Sequence, residues 1–333
     1  MDLTTDLLSG SRRALARTIS LVENGGPDVP AMLSALYPHT GRGHVIGITG
    51  APGTGKSTLV NALARAYRAE DRTVGVVAID PTSPFSGGAL LGDRVRMRDL
   101  AGDPGIFIRS MATRGSLGGL ARATADVISV LDAAGFDRIL VETVGVGQAE
   151  VDIASAAHTT IVVEAPGLGD EVQAIKAGVL EIADVFAVNK ADREDADRTV
   201  MALQMMQGMA LAPGGHHGAE ASKTAGHHPT PGTQPDGSWL PPIVKTIATQ
   251  SAGIETLRTW IEAHAVHLRE SGGLAQREAA RAATTLNHIL REWLLTAVMA
   301  RIPEDELSTT VSAIAGRYLD PYTAAERMLS RYT

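Results

Sequence analysis

Short apolar runs rich in valine and isoleucine recur through the middle of the chain, and helical patterns separate them. Several runs lack the alternation of apolar and polar positions, which is typical of strands covered on both faces. The helical stretches between them include residues 118–134 and 170–181. This succession predicts an α/β fold with a doubly wound, mostly parallel sheet. We expect its strands at residues 44–49, 74–79, 106–108, 139–142, 160–164, 184–189 and 243–246.

Helical patterns flank the predicted sheet on both sides. Residues 11–38 predict a helical extension before it, and Ala275 to Arg301 predict a long amphipathic helix after it. A second helical region then reaches the C-terminus. We therefore expect an N-terminal helical extension (1–42), an α/β domain (43–270) and a C-terminal helical region (271–333).

One segment of the α/β domain breaks this pattern. Residues 212–238 consist largely of Gly, Pro, Ser, Thr and His and have little apolar surface to bury, so we expect a flexible insertion. Two adjacent His pairs in such a segment can bind a divalent metal. We favour a solvated loop, because a flexible segment pre-organises no ligand geometry. The segment contains four of the ten histidines, namely His216, His217, His227 and His228.

The first predicted strand runs into the pattern G-x-x-x-x-G-K-[ST], which is typical of phosphate-binding loops. Glycines let the backbone curl so that N–H groups point at phosphate oxygens, and the lysine adds a positive charge for the β- and γ-phosphates. The serine hydroxyl is a ligand for Mg²⁺, and the helix expected from Ser57 to Ala69 turns its positive end to the same anion. We predict nucleotide contacts from Gly50, Ala51, Pro52, Gly53, Thr54, Gly55, Lys56, Ser57 and Thr58.

Composition narrows the class of protein. The 333 residues carry a net charge of −7, which argues against nucleic-acid binding, since proteins of that kind usually present a basic face. There are no cysteines, which excludes disulfides and thiolate metal sites. The acidic, polar N-terminus and the lack of a long apolar run predict neither a secretory signal nor a membrane span, so the expected location is the cytoplasm.

A second motif, Asn189-Lys190-Ala191-Asp192, follows a predicted strand and matches N-K-x-D. In guanine-specific sites the Asp accepts hydrogen bonds from the ring N–H and the exocyclic amine, a donor pair that adenine lacks. Asn189 and Lys190 are expected to brace the base-binding loops. The alternatives are that Asp192 caps a helix and that Lys190 is a solvated surface lysine. The motif favours GTP and GDP as the ligands.

Three acidic residues are candidates to hold Mg²⁺ near the γ-phosphate, because this ion prefers oxygen ligands and strand ends place carboxylates there. Asp80 follows the strand 74–79, and Glu142 ends the strand 139–142. Glu142 is followed by Thr-Val-Gly, so the usual D-x-x-G switch reads E-x-x-G. Asp93 lies in a Gly- and Pro-rich loop, where an ordinary turn residue is an equally good interpretation.

Four longer strings of sequence are distinctive, namely AIDPTSPFSGGALLGDRVRM (78–97), IRSMATRGSLGGLA (108–121), ILVETVGVGQAEVDIA (139–154) and GLGDEVQAIKAG (167–178). They resemble the MeaB/ArgK family of P-loop GTPases, which belongs to the metallocentre-assembly class. The resemblance implies a GTPase that acts as a chaperone for adenosylcobalamin-dependent acyl-CoA mutases, chiefly methylmalonyl-CoA mutase. Such a chaperone gates cofactor delivery and protects the mutase. The resemblance also implies a homodimer, built through helices outside the G domain. The resemblance spans nearly the whole chain.

The resemblance also assigns roles to segments of this chain. Residues 43–270 would be the G domain, and 271–333 would be the dimerisation region. Residues 81–98 and 143–154 would be the first and second switches, and 167–178 would be a third. The polar residues that it places at the centre of the third switch are Asp170, Glu171 and Lys176.

Arg96 is a candidate to stabilise charge during hydrolysis, by analogy with arginines that act in cis in other GTPases. A solvated or structural ion-pair residue is its alternative. Gln148 belongs to the second switch. The residues that the resemblance assigns to catalysis are Lys56, Arg96, Glu142, Gln148 and Lys176.

The chain departs from the family pattern in the second guanine-contacting loop, which reads Thr246-Ile247-Ala248 in place of the usual Thr-Ser-Ala. Contact there normally comes from backbone N–H groups, so Ala248 stays a candidate. Two other functions stay open. One is a metallochaperone GTPase, against which the absence of cysteine counts. The other is a protein kinase of a transport system, which the ArgK name implies and against which guanine selectivity counts.

Overall fold

The structure, a computed structural model, describes residues 2–80, 100, 102–112, 119–143, 153, 155–167, 181–210 and 231–332. The chain divides into two compact units, Met1–Glu278 and Ala279–Thr333. No helix in the described ranges is both long and apolar enough to cross a membrane.

The first unit is built around a seven-stranded parallel sheet, as the sequence predicts. The described strands are β1 (His44–Thr49), β2 (Val74–Asp80), β3 (Ile106–Ala112), β4 (Arg138–Glu142), β5 (Thr159–Glu164), β6 (Val185–Val188), β7 (Gly232–Thr233), β8 (Trp239–Leu240) and β9 (Ile243–Lys245). The order across the sheet is β3-β2-β4-β1-β5-β6-β9, and β7 pairs with β8 alone. Strand order reverses around β1, so the ligand crevice of this fold is expected at its carboxyl end.

Strand β3 extends four residues beyond the predicted strand 106–108. It pairs with β2 along its whole length, from Val74 opposite Ile106 to Asp80 opposite Ala112. Arg109 and Ser110 interrupt its apolar pattern. An edge strand has one unpaired side and tolerates such polar residues, which is why the apolar run alone ended too early.

Helices cover both faces of the sheet. Their described bounds are α1 (Leu3–Leu8), α2 (Arg12–Asn24), α3 (Val29–Leu36), α4 (Lys56–Arg68), α5 (Gly119–Ala133), α6 (Ala196–Ala210), α7 (Ile254–Glu270), α8 (Gly273–Met299), α9 (Glu304–Ala315) and α10 (Pro321–Tyr332). One apolar core joins α4 and α7 to one face, while the N-terminal helices and α5 pack against the other face. Alternate strand residues supply the two cores, as in Val45 and Ile46 of β1.

The C-terminal end of the predicted insertion 212–238 belongs to a small hairpin. Gly232 lies opposite Leu240 and Thr233 opposite Trp239, and the Trp239 indole donates to the Asp184 carbonyl at 2.8 Å. Residues 231–238 therefore differ from the flexible segment that composition predicts, because strand pairing and the indole fix them. Residues 212–230 lie outside the described part of the chain.

A buried carboxylate, Asp184, gathers hydrogen bonds at the amino end of β6. Arg277 in the first turns of α8 reaches its two oxygens at 2.7 and 2.8 Å. The Thr160 N–H donates to Asp184 Oδ2 at 2.8 Å, and His264 Nε2 lies 3.3 Å from Oδ1. The start of α8 is thus tied to the sheet through a charge-assisted pair.

Three buried or half-buried histidines extend this network at the amino ends of β1 and β5. Thr159 Oγ1 lies 2.8 Å from His44 Nε2 and 2.9 Å from His264 Nδ1. The His158 ring accepts from the Val45 N–H at 3.1 Å through Nδ1, and its Nε2 donates to Glu278. Burial lowers the pKa of His264 to about 4 and holds the pKa of His44 well below its ordinary value. His44 and His264 therefore enter the network as neutral imidazoles.

The second unit contains the rest of α8 together with α9 and α10. Arg331 pairs with Glu306 at 3.0 Å and links α10 to α9. Among the described side chains of this unit, that of Ala324 alone is buried, and several large apolar side chains are exposed to solvent. Those on α8 are Leu286, Leu290, Trp293, Leu294, Leu295 and Met299.

Candidate functional site

The predicted phosphate loop connects β1 to α4 at the carboxyl end of the sheet. Gly50, Gly53 and Gly55 have φ values of 137°, 81° and 93°, a region that favours glycine. A Cβ on Gly50 would lie 2.1 Å from the Val163 carbonyl oxygen, and one on Gly55 would lie 2.4 Å from Asn189 Nδ2. Both positions therefore require glycine, as the motif predicts.

Lys56 is folded over this loop. Its ammonium group donates to the carbonyls of Gly50 at 2.7 Å and Ala51 at 3.0 Å, and the residue is 6% exposed. Helix α4 begins at Lys56, one residue earlier than predicted, so its N-terminus opens directly at the loop. A buried cation and a helix N-terminus at one loop favour an anion there.

The rest of the loop divides into a buried and an exposed part. Thr54 is fully buried, and its hydroxyl donates to the Ala51 carbonyl at 3.0 Å. Pro52 and Gly53 are exposed at the tip, and Thr58 is half-buried in the first turn of α4. Thr54 thus anchors the loop on its buried side, and the tip of the loop is exposed to solvent.

Ser57 and Glu142 meet beneath the loop. The Ser57 hydroxyl donates to Glu142 Oε1 at 2.6 Å, and the two residues are 7% and 5% exposed. A hydroxyl and a carboxylate side by side are oxygen ligands of the kind that Mg²⁺ prefers. Asp80 ends β2 at the same edge of the sheet, but its side chain lies outside the described atoms, as does all of Asp93.

Asn189 joins the second motif to the phosphate loop. Its Nδ2 donates to the Thr54 carbonyl at 2.9 Å, and its Oδ1 accepts from the Ala248 N–H at 3.1 Å. The residue is 3% exposed, so these bonds are made away from water. Asn189 thus braces two loops, in agreement with the role expected of it.

Lys190 and Asp192 complete the motif. The Lys190 ammonium donates to the Gly53 carbonyl at 2.6 Å, so the alternative of a purely solvated lysine is wrong. Asp192 is exposed, and α6 begins only at Ala196, so the alternative of a helix cap at Asp192 is also wrong. Asp192 is therefore an exposed carboxylate that caps no helix, and its contact with guanine stays a prediction.

Backbone N–H groups of the loop 246–248 donate hydrogen bonds within the protein. The Ile247 N–H donates to the Ala252 carbonyl at 3.0 Å, and the Ala248 N–H is bound by Asn189. Ala248 therefore lies at the site, while its expected contact with guanine stays a prediction. The half-buried Ile247 side chain takes the place of the family's serine without breaking the loop.

The structure brings the phosphate loop, Glu142 and the N-K-x-D motif together at one edge of the sheet. Three residues assigned to catalysis, Arg96, Gln148 and Lys176, lie outside the described residues. Sequence reasoning missed two threonines below the loop, Thr49 and Thr143, whose hydroxyl oxygens are 3.1 Å apart. Thr143 stands directly after Glu142 in E-T-V-G, but Thr49 lies 94 positions away and no motif links the two threonines.

This combination defines the class of protein. A parallel strand leads through a glycine loop into a helix, a buried lysine covers the loop, and an N-K-x-D motif braces it from the end of β6, two strands away in the sheet. Such an arrangement is that of a P-loop nucleoside triphosphatase. A crystal structure named LAO/AO transport system kinase has the same fold, with a TM-score of 0.67, 26% identity and coverage of 98% of this chain and 95% of that one.

Sequence comparison identifies the family. Residues 15–302 match the family model described as "Methylmalonyl Co-A mutase-associated GTPase MeaB", and the chain belongs to this family of GTPases. A protein of Pyrococcus horikoshii that is named a GTPase is 46% identical over 99% of this chain and 97% of its own. The "Methylmalonic aciduria type A homolog, mitochondrial" of Caenorhabditis briggsae is 38% identical over 57% of this chain and 50% of its own.

Proposed function

We propose that this GTPase is a chaperone for an adenosylcobalamin-dependent acyl-CoA mutase, with methylmalonyl-CoA mutase as the first candidate. It would gate loading of the cofactor and protect the mutase from inactivation. The observation that carries the proposal is the match of residues 15–302 to a family described as associated with methylmalonyl-CoA mutase. The name of the Caenorhabditis briggsae relative points the same way.

We propose that Mg²⁺ is held by Ser57, Asp80, Asp93 and Glu142, some of them through water. The contact between the Ser57 hydroxyl and Glu142 supports this, because the two oxygens already lie together beside the phosphate loop. The ion would neutralise phosphate charge during hydrolysis. Lys56 is the residue of this chain that would bind the β- and γ-phosphates, since its ammonium group lies over the loop.

We further propose a homodimer built through residues 271–333. A stripe of exposed apolar side chains on α8 supports this, since Leu286, Leu290, Trp293 and Leu294 recur at helical spacing. Exposed apolar patches of this kind usually mark protein contacts.

Reconstitution with purified mutases tests the chaperone proposal. GTP turnover is measured alone and with methylmalonyl-, isobutyryl- or 2-hydroxyisobutyryl-CoA mutase, and complex formation is followed with a non-hydrolysable GTP analogue. We expect a complex with one of them and faster turnover in its presence. Turnover and mass unchanged by all three would contradict the proposal.

The second candidate function is a protein kinase, which the name of the matching crystal structure suggests. Transfer of γ-labelled phosphate to a transport protein, in place of release as free phosphate, would favour it. The metallochaperone alternative has less support. Among the described residues, no group of three His, Cys, Asp or Glu lies close enough to hold a metal ion.

A further inference from the structure

Three pairs of consecutive residues meet beneath the phosphate loop. They stand at the end of β1, at the start of α4 and at the end of β4, and they are Thr49-Gly50, Lys56-Ser57 and Glu142-Thr143. Each pair contacts the other two. Lys56 Nζ lies 2.7 Å from the Gly50 oxygen, Ser57 Oγ lies 2.6 Å from Glu142 Oε1, and Thr143 Oγ1 lies 3.1 Å from Thr49 Oγ1. The three contacts close a ring around the base of the site.

The threonine contact is shielded from water. Thr49 and Thr143 are each 1% exposed, and one hydroxyl donates to the other. The Thr143 N–H also donates to the Ile48 carbonyl at 3.1 Å. Thr143 at the end of β4 is therefore bound to β1 twice, once through its main-chain N–H and once through its side-chain hydroxyl.

We propose that Thr143 is a positioning residue for GTP hydrolysis, which acts through Thr49 to hold Glu142 in place against Ser57. Glu142 directly precedes Thr143, so rotation of the β4 end moves its carboxylate. With the hydroxyl removed, Thr143 would keep its main-chain bond to Ile48, and strand pairing of Glu142 with Ile48 and Ala78 would preserve the strand while the side-chain restraint is lost. Small displacements at a reacting centre cost rate more than affinity, because the geometry of the transition state is stricter than that of binding.

The Thr143→Val variant tests the proposal, because valine keeps the shape and removes the hydroxyl. We expect kcat for GTP hydrolysis to fall about fivefold, the effect of losing one net hydrogen bond. GDP affinity should stay within about twofold, because neither threonine is exposed at the loop surface. Thr143→Ser restores the hydroxyl and should recover most of the rate. A purely structural residue would lower stability without this split between kcat and affinity.

A double-mutant cycle tests whether Thr49 is the partner. Thr49→Val should reproduce the loss in kcat, and the double variant should be no slower than either single variant. Independent effects would multiply to about 25-fold. Thr18→Val is the matched control. Thr18 is fully buried in α2, its hydroxyl has no hydrogen-bond partner in the described structure, and its loss should leave turnover unchanged.

Three results would overturn the proposal. They are unchanged kcat in both valine variants, a loss of GDP affinity as large as the loss of kcat, and multiplicative effects in the double variant. Melting temperatures are recorded for every protein. If a valine variant does not fold, Thr49→Ala and Thr143→Ala carry the same comparison.

Discussion

Guanine selectivity is expected to rest on the single carboxylate of Asp192. Replacing Asp192 with Asn sets a donor against the donors of guanine, so GTP affinity should fall by about 2 kcal/mol or more. Relative affinity for xanthosine nucleotides should rise, because xanthine offers an acceptor at that position. Calorimetric titration with GDP and with xanthosine diphosphate measures both.

The control for this substitution is Glu194→Gln, two residues further on and also exposed. It removes the same charge from the same surface and should bind GDP like the unmodified protein. GDP binding that survives Asp192→Asn unchanged would remove Asp192 from the site.

Single residues of the site differ in how far the sequence predicts them. Lys56 and Asn189 stand in short contiguous motifs whose chemistry fixes their role, and both contact the phosphate loop. The Thr49–Thr143 pair joins residues that are 94 positions apart. Nothing in a single sequence marks such a pair, because the contact exists only once β1 and β4 lie side by side.

The histidine network at the amino ends of the strands predicts a loss of stability in mild acid. Burial lowers the folded-state pKa of His264 to about 4, below the ordinary value of 6.5. The unfolded chain therefore binds more protons, and stability that is complete above about pH 6.5 is lost as pH falls towards 4. His264 alone should account for about 3 kcal/mol of that loss. Denaturant unfolding at several pH values measures the slope.

Variants assign this slope to the network. Asp184, Arg277, His44 and His267 are the charged or titratable groups that act on His264, and they stay in place in His264→Gln. That variant should be less stable at pH 7 and should lose less stability between pH 6.5 and 4. His39→Gln, at an exposed position, should keep the full slope. An unaltered slope in His264→Gln would show that other groups take up the protons.

Removal of the histidine-rich segment should leave the fold and GTP turnover nearly intact. The expectation comes from where its flanks lie. Gln207 on α6 donates to the Pro241 carbonyl at 2.8 Å, and Trp239 is bound to Asp184, so both flanks meet at the amino ends of β6 and β9. Long surface insertions cost little to close. A chain with residues 212–230 replaced by a short Gly-Ser linker is compared by melting temperature and turnover.

A larger deletion provides the contrast. Removing 212–238 also removes β7, whose Gly232 pairs with Leu240, and should lower the melting temperature clearly. A large drop in the smaller deletion would show that the segment packs against the fold. If the intact chain binds Ni²⁺, Zn²⁺ or Co²⁺ tightly and the deletion abolishes binding, the metallochaperone alternative gains support.

Strands could be predicted where their consecutive residues are buried and therefore apolar. Strands β1 and β4 are fully apolar at their centres, and their predicted bounds agree with the observed ones to within a residue. The hairpin that ends the insertion was not predictable, because β7 and β8 are two residues each. The Asp184 network was equally hidden, since its members come from five separate segments.

At the scale of the whole molecule, the exposed face of α8 should form the contact between two copies. Trp293 and Leu294 are 58% and 65% exposed. The double substitution Trp293→Glu and Leu294→Glu places charge in that contact and should convert the dimer into a monomer. Light scattering should then give about 34.8 kDa in place of twice that mass.

The matched control is the double substitution Met201→Glu and Met205→Glu, which places the same two charges on apolar residues of α6 that are 60% and 67% exposed. It should remain dimeric. A native chain that already sedimented as a monomer at micromolar concentration would contradict the dimer proposal.

The described flanks of residues 212–230 and the nucleotide site lie at opposite ends of the strands, which makes this segment a suitable point for attaching a label or a surface linker. Asn189 and Thr246 follow β6 and β9, whereas the flanks of the insertion lie at the other ends of the same strands. A four-residue strand separates these edges by about 13 Å. A dye or surface linker placed between residues 212 and 230 would leave the nucleotide edge facing solution. Partner binding could then be followed on single immobilised molecules with the nucleotide edge accessible.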